Sequence, residues 1–389
     1  MATVQGALHT FLHLRMVDGL DEATVFQITA SSSLLALSLS VLMKRRVHEF
    51  FLYSHRAATV VLIIGLWEHV RTMATLSRVL LIGAFGTFLL STIFQNARQI
   101  YKNCAWGTRG VRLAHISQIR TYDDSPIVEL KLSRPWKIQP GDYIYLCVLT
   151  PKCYSFLQRH PFIITWWEDV HGTDKTQIIY VMLDPQRGWT KSVTKHASLF
   201  ENKMAWLDGP FGQSNCLEQH GTVVLFASGN GIFAQLPLMK GLVVGSRSAA
   251  VKTRRIKLIW QTDKYHAQLQ EWIQSVLDDE RLDKELLDIS IHKPANSLES
   301  GAIDHLRTSK IHSMGRRVRI IDDVPDVAEY IQRELKEPRE SVAVTVSGHQ
   351  QLRHEVRRQV LLTKCYNVRF YELEYQRGYV DGHKGGMAA

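Results

Sequence analysis

Cysteine is scarce and unpaired. Cys104, Cys147, Cys153, Cys216 and Cys365 include no Cys-x-x-Cys spacing, so no structural zinc site is legible. A disulfide framework is disfavoured relative to reduced thiols in a cytosolic compartment. Internal repeats and low-complexity tracts are also absent, which leaves discrete domains. The opening stretch, "MATVQGALHTFLHLRM", lacks a basic n-region and a clean small-residue cleavage site. It reads like the tail end of a helix rather than a signal peptide. The basic residues behind the net charge of +10 do not interleave with aromatics in one patch, which argues against nucleic acid as a partner. Several instead flank apolar segments, Lys44, Arg45 and Arg46 most clearly, as expected beside an anionic membrane face.

At 389 residues the chain has room for two or three domains, each with its own core. Its apolar residues concentrate in the first hundred positions. Three segments, 24–43, 50–70 and 79–95, are each about long enough for a ~30 Å hydrocarbon core. Lys44–Arg46 follow the first segment and Arg98 and Lys102 the third. The positive-inside rule therefore places both ends of the bundle, and the soluble remainder, in the cytosol.

From about residue 108 the period shortens to alternating runs, "VRLAHISQIR", "PIVELKLS", "DYIYLCVL", "FIITWW" and "TQIIYVML". Separated by turns such as "QPGD", they predict an antiparallel barrel of about six strands. After "LDGPFG" the pattern becomes strand then helix: "TVVLFAS" before "FAQLPLMKGLVVG", "RIKLIWQT" before "HAQLQEWIQSVLDD", and "SVAVTVSG" before "HQQLRHEVRRQVLL". Buried strands alternating with amphipathic helices predict a parallel α/β sheet. The expected organisation is a multidomain chain: transmembrane α-helices over 1–107, an antiparallel β-barrel over 108–213 and a parallel-sheet α/β domain over 214–389. Residues 293–317 read as a polar loop.

His55 and His69 lie fourteen residues apart in the second apolar segment. On an α-helix that is about 21 Å of rise and about 40° of rotation, so both imidazoles share a side, one near each leaflet. Inward-facing intramembrane imidazoles suit axial ligation of haem iron. An interfacial His69 beside Trp67, with His55 bonded to a neighbouring helix, is equally open. "RHPFIITWW" sets His160, Pro161 and Phe162 at the start of a barrel strand, where a flavin needs an apolar wall and main-chain donors. "RGWTKS" offers Gly188 and Thr190 at a helix N-terminus, suited to a pyrophosphate or simply an ordinary cap. "DGPFG" brings Gly209, Pro210 and Gly212 to the junction of barrel and sheet, which by itself is also what a linker turn looks like. In "FASGNGIFAQLP", Gly229 and Gly231 let the backbone approach a phosphate as Ile232 starts a helix. Ser347 and Gly348 close another parallel strand, on the sheet edge where ligands bind.

Taken in order, these elements resemble the ferric reductase and NADPH oxidase family, in which a haem-bearing membrane domain precedes a ferredoxin–NADP reductase-like FAD domain and nucleotide domain. "HEFFLYSHRAATVVLIIGLWEHV" is similar to that family's fifth membrane helix, which implies haem b ligation by His55 and His69. "HPFIIT" resembles its flavin motif, "GWT" its pyrophosphate turn, "GPFG" its domain-junction motif, which implies NADPH contacts by Gly209, Pro210 and Gly212, and "SGNGIFAQLP" its NADPH motif, with Pro237 closing it. "FYELEYQ" resembles its C-terminal strand end, which implies that Tyr375 covers the flavin ring. "WW" and "LEYQ" lean toward fungal metalloreductases.

The chain also departs from the pattern. Ile163 stands where threonine often follows His-Pro-Phe, so a polar flavin contact passes to Thr165. Ser347 and His349 replace the cysteine and proline of a Cys-Gly-Pro element. About six membrane helices are expected and three are legible, which reads as truncation at the N-terminus. "VQGALH" resembles the outer end of the family's third helix, making His9 the partner of His69, while the partner of His55 would precede Met1.

The resemblance implies a plasma-membrane oxidoreductase that passes electrons from NADPH through FAD and haem to a ferric or cupric chelate outside, with a partner subunit able to supply missing helices. Its rivals are a membrane-anchored flavin NAD(P)H reductase without a haem relay, a superoxide-producing oxidase, and an inactive remnant. The nucleotide stays open too. Asp263 after the second parallel strand favours NADH, whereas Lys264, or Arg254 and Arg255, suit a 2′-phosphate.

Overall fold

The computed structural model describes residues 22–43, 48–71, 75–107, 110–122, 125–148, 160–170, 173–183, 193, 197–212, 215–263, 267–279, 286–293, 317–335, 341–363 and 367–374. The chain divides into two compact units, Met1–Arg98 and Gln99–Ala389.

The first unit holds helices α1 (Glu22–Met43) and α2 (His48–Arg71) and most of α3 (Thr75–Asn103). On α1 the buried side chains are Thr24, Gln27, Ala30, Ser33 and Ser40, while Leu35, Leu39, Val41 and Leu42 are exposed. A helix adapted to water does the reverse. Gly65 of α2 lies against α1 so closely that an added Cβ would sit 3.1 Å from the Ala30 nitrogen. Small residues at a close helix crossing are the packing expected where surrounding lipid removes any gain from burying leucine. On α3 no residue before Asn103 is buried, and Leu80, Phe85, Phe88, Leu90 and Phe94 all face outward. Thr24–Leu42 and Thr75–Asn103 are long and apolar enough to cross a membrane. The segment 50–70 expected as a second span forms α2 but misses that measure, because Arg56, Glu68 and both histidines interrupt its apolar residues. The expected third segment, 79–95, is the middle of the longer α3.

In the second unit a hairpin of β1 (Cys104–Gly107) and β2 (Gly110–Leu113) leads into a six-stranded antiparallel sheet. Its strands are β3 (His115–Tyr122), β4 (Ser125–Trp136), β5 (Tyr143–Val148), β6 (His160–Asp169), β7 (Thr176–Met182) and β8 (Ala205–Phe211). They are ordered β3-β4-β7-β6-β5-β8. "VRLAHISQIR" is therefore two strands rather than one. The break falls at Ala114, whose N–H donates to Asn103 O and whose carbonyl accepts from Ala205 N. Ile116, Val128, Leu130, Ile144, Leu146, Phe162 and Ile164 fill the interior. A short helix, α4 (Ala197–Phe200), precedes β8.

The second sheet is parallel throughout, with β9 (Thr222–Ser228), β10 (Arg255–Gln261), β11 (Leu287–His292), β12 (Val318–Ile321), β13 (Val342–Ser347) and β14 (Val368–Glu372) ordered β12-β11-β10-β9-β13-β14. Helices α5 (Ile232–Arg247) and α6 (Ala267–Asp279) pack on one face, with Phe233, Leu236, Trp272 and Ile273 in the core. Helices α7 (Val327–Leu335) and α8 (Gln350–Leu362) cover the other through Ile331, Leu352 and Val356. From β9 the chain moves outward to β12 and then returns to place β13 on the other side of β9. That reversal is a topological switch point, and the carboxyl ends of β9 and β13 flank the crevice it creates.

Candidate functional site

Gly229–Gly231 form a 3-10 turn between β9 and α5, and Ser347–His349 link β13 to α8. The two connections touch through backbone. A Cβ on Gly231 would lie 2.4 Å from Ser347 O, and one on Gly348 2.4 Å from Ser228 O. Gly229 and Gly348 also adopt positive φ, +50° and +119°, so both positions require glycine. Ser228 Oγ accepts from His349 N at 2.7 Å, and Trp260 Nε1 donates to Gly229 O at 3.1 Å. Beneath the turn the carboxamide of Gln235 donates to Phe226 O (3.0 Å) and to Ser347 Oγ (3.1 Å), and accepts from Thr345 Oγ1 (2.8 Å). The Ser347 hydroxyl in turn donates to Gly231 O at 2.6 Å. The result is a rigid cradle at the amino end of α5. No acidic residue lies in the first turn of that helix and no side chain caps it, and its dipole favours an anion.

Not every sequence-predicted nucleotide residue reaches this crevice. Gly229, Gly231 and Gly348 do, while Ile232 begins α5 there with its side chain in the core. Ser347 supplies backbone there, but its fully buried hydroxyl is committed to Gly231 and Gln235, so it braces the cradle from below. Pro237 is buried inside α5, about 9 Å along the helix from Gly231. Arg254 and Arg255 sit at the opening end of β10, on the opposite sheet edge, and Arg255 Nη1 pairs with Glu334 Oε2 at 3.2 Å. Neither can meet a ribose phosphate at the switch point. Asp263 is exposed just past the closing end of β10, while Lys264 lies outside the described residues. A cavity of about 900 Å3, lined by Gly221, Lys252, Thr253, Arg254 and Ser341 among others, opens on the amino-terminal edge, away from the cradle.

On the barrel, β5 and β6 pair with Leu146 opposite His160, Tyr145 opposite Pro161, Ile144 opposite Phe162 and Tyr143 opposite Ile163. Opposed residues share a face. Phe162, 1% exposed, therefore points into the barrel with Ile144 and Leu146 rather than forming a flavin wall. Thr165 is also corrected. It is fully buried at a register shift, and its hydroxyl donates to Tyr180 O at 2.9 Å, so it has no donor to offer a flavin. His160 is half-buried at the strand start, and Pro161 shares the other face with Tyr143 and Tyr145. These tyrosines meet Phe211 with ring centroids 5.7 and 5.9 Å away, an aromatic surface that sequence reasoning missed. The signal was Tyr-x-Tyr in "DYIYLCVL", a period of two that puts both rings on one side.

"GPFG" proves to belong to the barrel's edge strand rather than to a linker. Gly209 and Pro210 lie within β8, and a Cβ on Gly209 would lie 3.1 Å from Tyr143 O. Gly212 follows immediately, against Asp142 Oδ1. Burial holds the Asp142 carboxyl above its ordinary range, opposed by the hydrogen bond it accepts from Gln139 N. The last turn of α3 grips the same strand. Asn103 exchanges bonds of 2.7 and 2.8 Å with Leu207, Gln99 Nε2 donates to Asp208 Oδ2 at 2.6 Å, and Lys102 Nζ donates to Gly209 O. Gly188, Thr190, Tyr375 and His9 lie outside the described residues.

In the first unit, His55 Nδ1 meets Ser40 Oγ at 3.0 Å, and its ring lies 5.2 Å from Phe51. Engagement of one ring nitrogen orients the imidazole and leaves Nε2 for a metal. His69 is half-buried on the same helix. The sequences of α1 and α3 contain no histidine, and no cluster of three or more metal-binding side chains occurs among the described residues.

An antiparallel barrel joined to a parallel sheet with a glycine turn at its switch point defines a ferredoxin–NADP reductase-like flavin and nucleotide module. The family models agree in order and position: an FAD-binding domain matches residues 111–215 and a ferric reductase NAD binding domain matches residues 220–361. The chain is similar to ferric/cupric reductase transmembrane component 2 of Saccharomyces cerevisiae, 24% identical over 219 residues, covering 56% of this chain and 28% of that protein. It is also similar to a probable ferric reductase transmembrane component of Candida albicans, 22% identical over 355 residues, covering 85% and 49%. Among solved structures, a flavohemoglobin from Malassezia yamatoensis is 13% identical with a TM-score of 0.43, covering 90% of this chain and 84% of that one. The chain belongs to the fungal ferric reductase-like family, and it spans about half the length, or less, of the relatives it matches.

Proposed function

We propose that this chain is a membrane-anchored NAD(P)H-dependent flavoenzyme that delivers electrons toward a ferric or cupric chelate. The observation that carries the proposal is the glycine cradle at the switch point, where Gly231 and Gly348 let the β9–α5 and β13–α8 connections pack backbone to backbone beside the amino end of α5. The cradle residues fit a dinucleotide: Gly229, Gly231 and Gly348 carry no side chain to cover the turn, and the dipole of the α5 N-terminus favours a negative charge there. Pro161, Tyr143, Tyr145 and Phe211 fit a flat flavin ring, with Gly188, Thr190 and Tyr375 as further flavin contacts carried by the resemblance. FAD, when bound, supplies the ring that accepts a hydride and passes electrons on singly. The protein's part is to orient the two ring systems and exclude water. No protein acid or base is required.

The reversed polarity of α1 and the wholly exposed apolar surface of α3 support a bilayer location. Its relatives are named transmembrane components, which supports a membrane location; the plasma membrane is what the family resemblance implies, and cytosolic flavin and nucleotide domains follow from the basic residues Lys44–Arg46, Arg98 and Lys102. His55, oriented by Ser40, and His69 would each offer a ring nitrogen to a haem b group, which would supply one-electron transfer, with His9 as the partner of His69. A second reading, a flavin reductase without a haem relay, is favoured by the lack of histidine on α1 and α3, which leaves any further histidine to another helix or a partner subunit.

The optical spectrum of the full chain, purified in detergent and supplied with FAD, separates these readings. Flavin absorbance with a Soret band and NAD(P)H-dependent reduction of a ferric chelate supports the relay. Flavin absorbance alone, with NAD(P)H-dependent reduction of a soluble dye, supports the second reading. Loss of both activities from flavin-loaded protein overturns the proposal.

A further inference from the structure

Lys240 is a buried cation with no part in the nucleotide cradle. It lies on α5, two and a half turns beyond Gly231, with only 7% of its surface exposed. Its stem leaves the nucleotide domain and its ammonium enters the barrel. Nζ donates to Trp167 O at 2.6 Å, stands 3.7 Å from Asp169 Oδ2, and lies over the rings of Trp166 and Trp167 at 4.7 and 4.5 Å. These three residues are on β6, the strand that opens with His160–Pro161. The neighbouring residue, Gly241, meets the barrel as well, since a Cβ there would lie 2.2 Å from Pro140 Cγ. Beside this point Trp166 stacks on Trp272 of α6, with centroids 5.3 Å apart and planes 11° from parallel.

Apolar contact between two domains tolerates sliding, because burial has no direction. A desolvated ammonium does not, because it is costly to bury unless its carbonyl, carboxylate and ring faces stay where they are. Trp166, Trp272, Tyr180 and Met182 form a shared core that is indifferent to small rotations, whereas the Lys240 cage is satisfied in one docking geometry. β6 carries the expected flavin contacts at one end and the cage at the other. α5 carries the nucleotide cradle at one end and Lys240 in its middle.

We propose that Lys240 is the positioning residue that fixes the register between the two domains, and thereby the approach of nicotinamide to flavin. This rests on the reading of the two domains as nucleotide and flavin sites. Lys240 touches neither cofactor site, so its loss alters alignment rather than binding.

The test compares wild type, Lys240→Met and Lys240→Arg as full chains in detergent, loaded with FAD. In Lys240→Met the apolar stem survives without its charge. Its first-order rate of flavin reduction by NADPH is expected to fall at least tenfold while the half-saturating NADPH concentration changes less than threefold, and Lys240→Arg is expected to recover part of the rate. Hydrogen exchange read by mass spectrometry supplies a measure independent of activity. Peptides covering 163–169 and 238–246 should lose protection at least tenfold in Lys240→Met, while those covering β9 and β13 stay unchanged. An unaltered rate with unaltered seam protection overturns the proposal, as does protection lost equally across both domains. If wild type is not reduced by NADPH or NADH, the functional reading fails, while the exchange comparison still decides whether Lys240 holds the seam.

Discussion

Removing the Gln235 carboxamide tests whether the glycine cradle is braced from within. Gln235 is fully buried and makes three hydrogen bonds, to Phe226 O, Ser347 Oγ and Thr345 Oγ1. Gln235→Leu keeps most of the volume and deletes all three. The Ser347 hydroxyl still donates to Gly231 O, so the group left without a partner is Thr345 Oγ1, also fully buried. One orphaned buried hydroxyl costs about 1–3 kcal/mol, and two further lost bonds about 0.5–1.5 kcal/mol each. The sum is a loss of roughly 2–6 kcal/mol. Thr345→Val alone strands the Gln235 oxygen and costs about 1–3 kcal/mol by the same rule. Because the double variant removes both partners of one bond, it should lose less than the two singles added together, with a coupling of about 1–2 kcal/mol. Calorimetry of the full chain with FAD, for wild type, both singles and the double, reads this directly. Additivity within about 0.3 kcal/mol would refute the bracing network.

Three further outcomes follow from the packing. His292 Nδ1–H donates to Asp323 O at 3.1 Å and Nε2 accepts from Tyr330 OH at 2.9 Å. Burial holds its pKa below the ordinary value, with the Arg319 charge acting in the same direction and Asp323 opposing. The unfolded chain therefore takes up a proton near the usual histidine value of about 6.5 while the folded chain does not. Stability should fall as pH drops below that point, with a shallower fall in His292→Phe; the same slope in both would contradict the assignment. His220, also held low by burial, contributes the same sign and leaves a residual slope. Gly241→Ala should lower the unfolding temperature by overpacking against Pro140, about 1–3 kcal/mol; a variant as stable as wild type would mean that the seam can relax. Replacing Asp142 by Asn should stabilise the chain at neutral pH, because a carboxyl held high by burial resists ionising there. Its raised pKa favours the fold at low pH and loses that contribution as pH rises through it. The gain should therefore shrink in acid, and a constant difference across pH would refute it.

Much of the second unit was legible in the sequence because its patterns are local. The parallel strands are short β-branched runs, and each precedes an amphipathic helix, so "TVVLFAS", "RIKLIWQT" and "SVAVTVSG" declare β9, β10 and β13. The glycines at 229, 231 and 348 are required by backbone approach, which sequence spacing records. Side-chain direction on β6 was not legible. Residues 162–167 are buried on both faces, which erases the alternation that would have turned Phe162 inward, and the register shift at Thr165 breaks what period remains. Arg254 and Arg255 were misjudged although "RIKLIWQT" already sets them at the opening end of β10, because in a parallel sheet that end lies away from the crevice. Lys240 gave no signal, since its aromatic cage comes from residues about seventy positions earlier and only the docked domains bring them together. In the first unit, apolar composition marked all three helices, while the packing of α2 on α1 through Gly65 and Ala30 was not legible in it.

The central claim is that the switch-point cradle presents NAD(P)H to a flavin held by the barrel. Anaerobic mixing of the FAD-loaded full chain with NADPH or NADH, followed through the flavin absorbance band, tests it most directly. The account predicts rapid bleaching with at least one of the two nucleotides, and its loss in Gly231→Val, whose side chain would intrude on Ser347 O, while bound FAD is retained. Flavin that stays oxidised in wild type with both nucleotides, or bleaching undiminished in Gly231→Val, would contradict it.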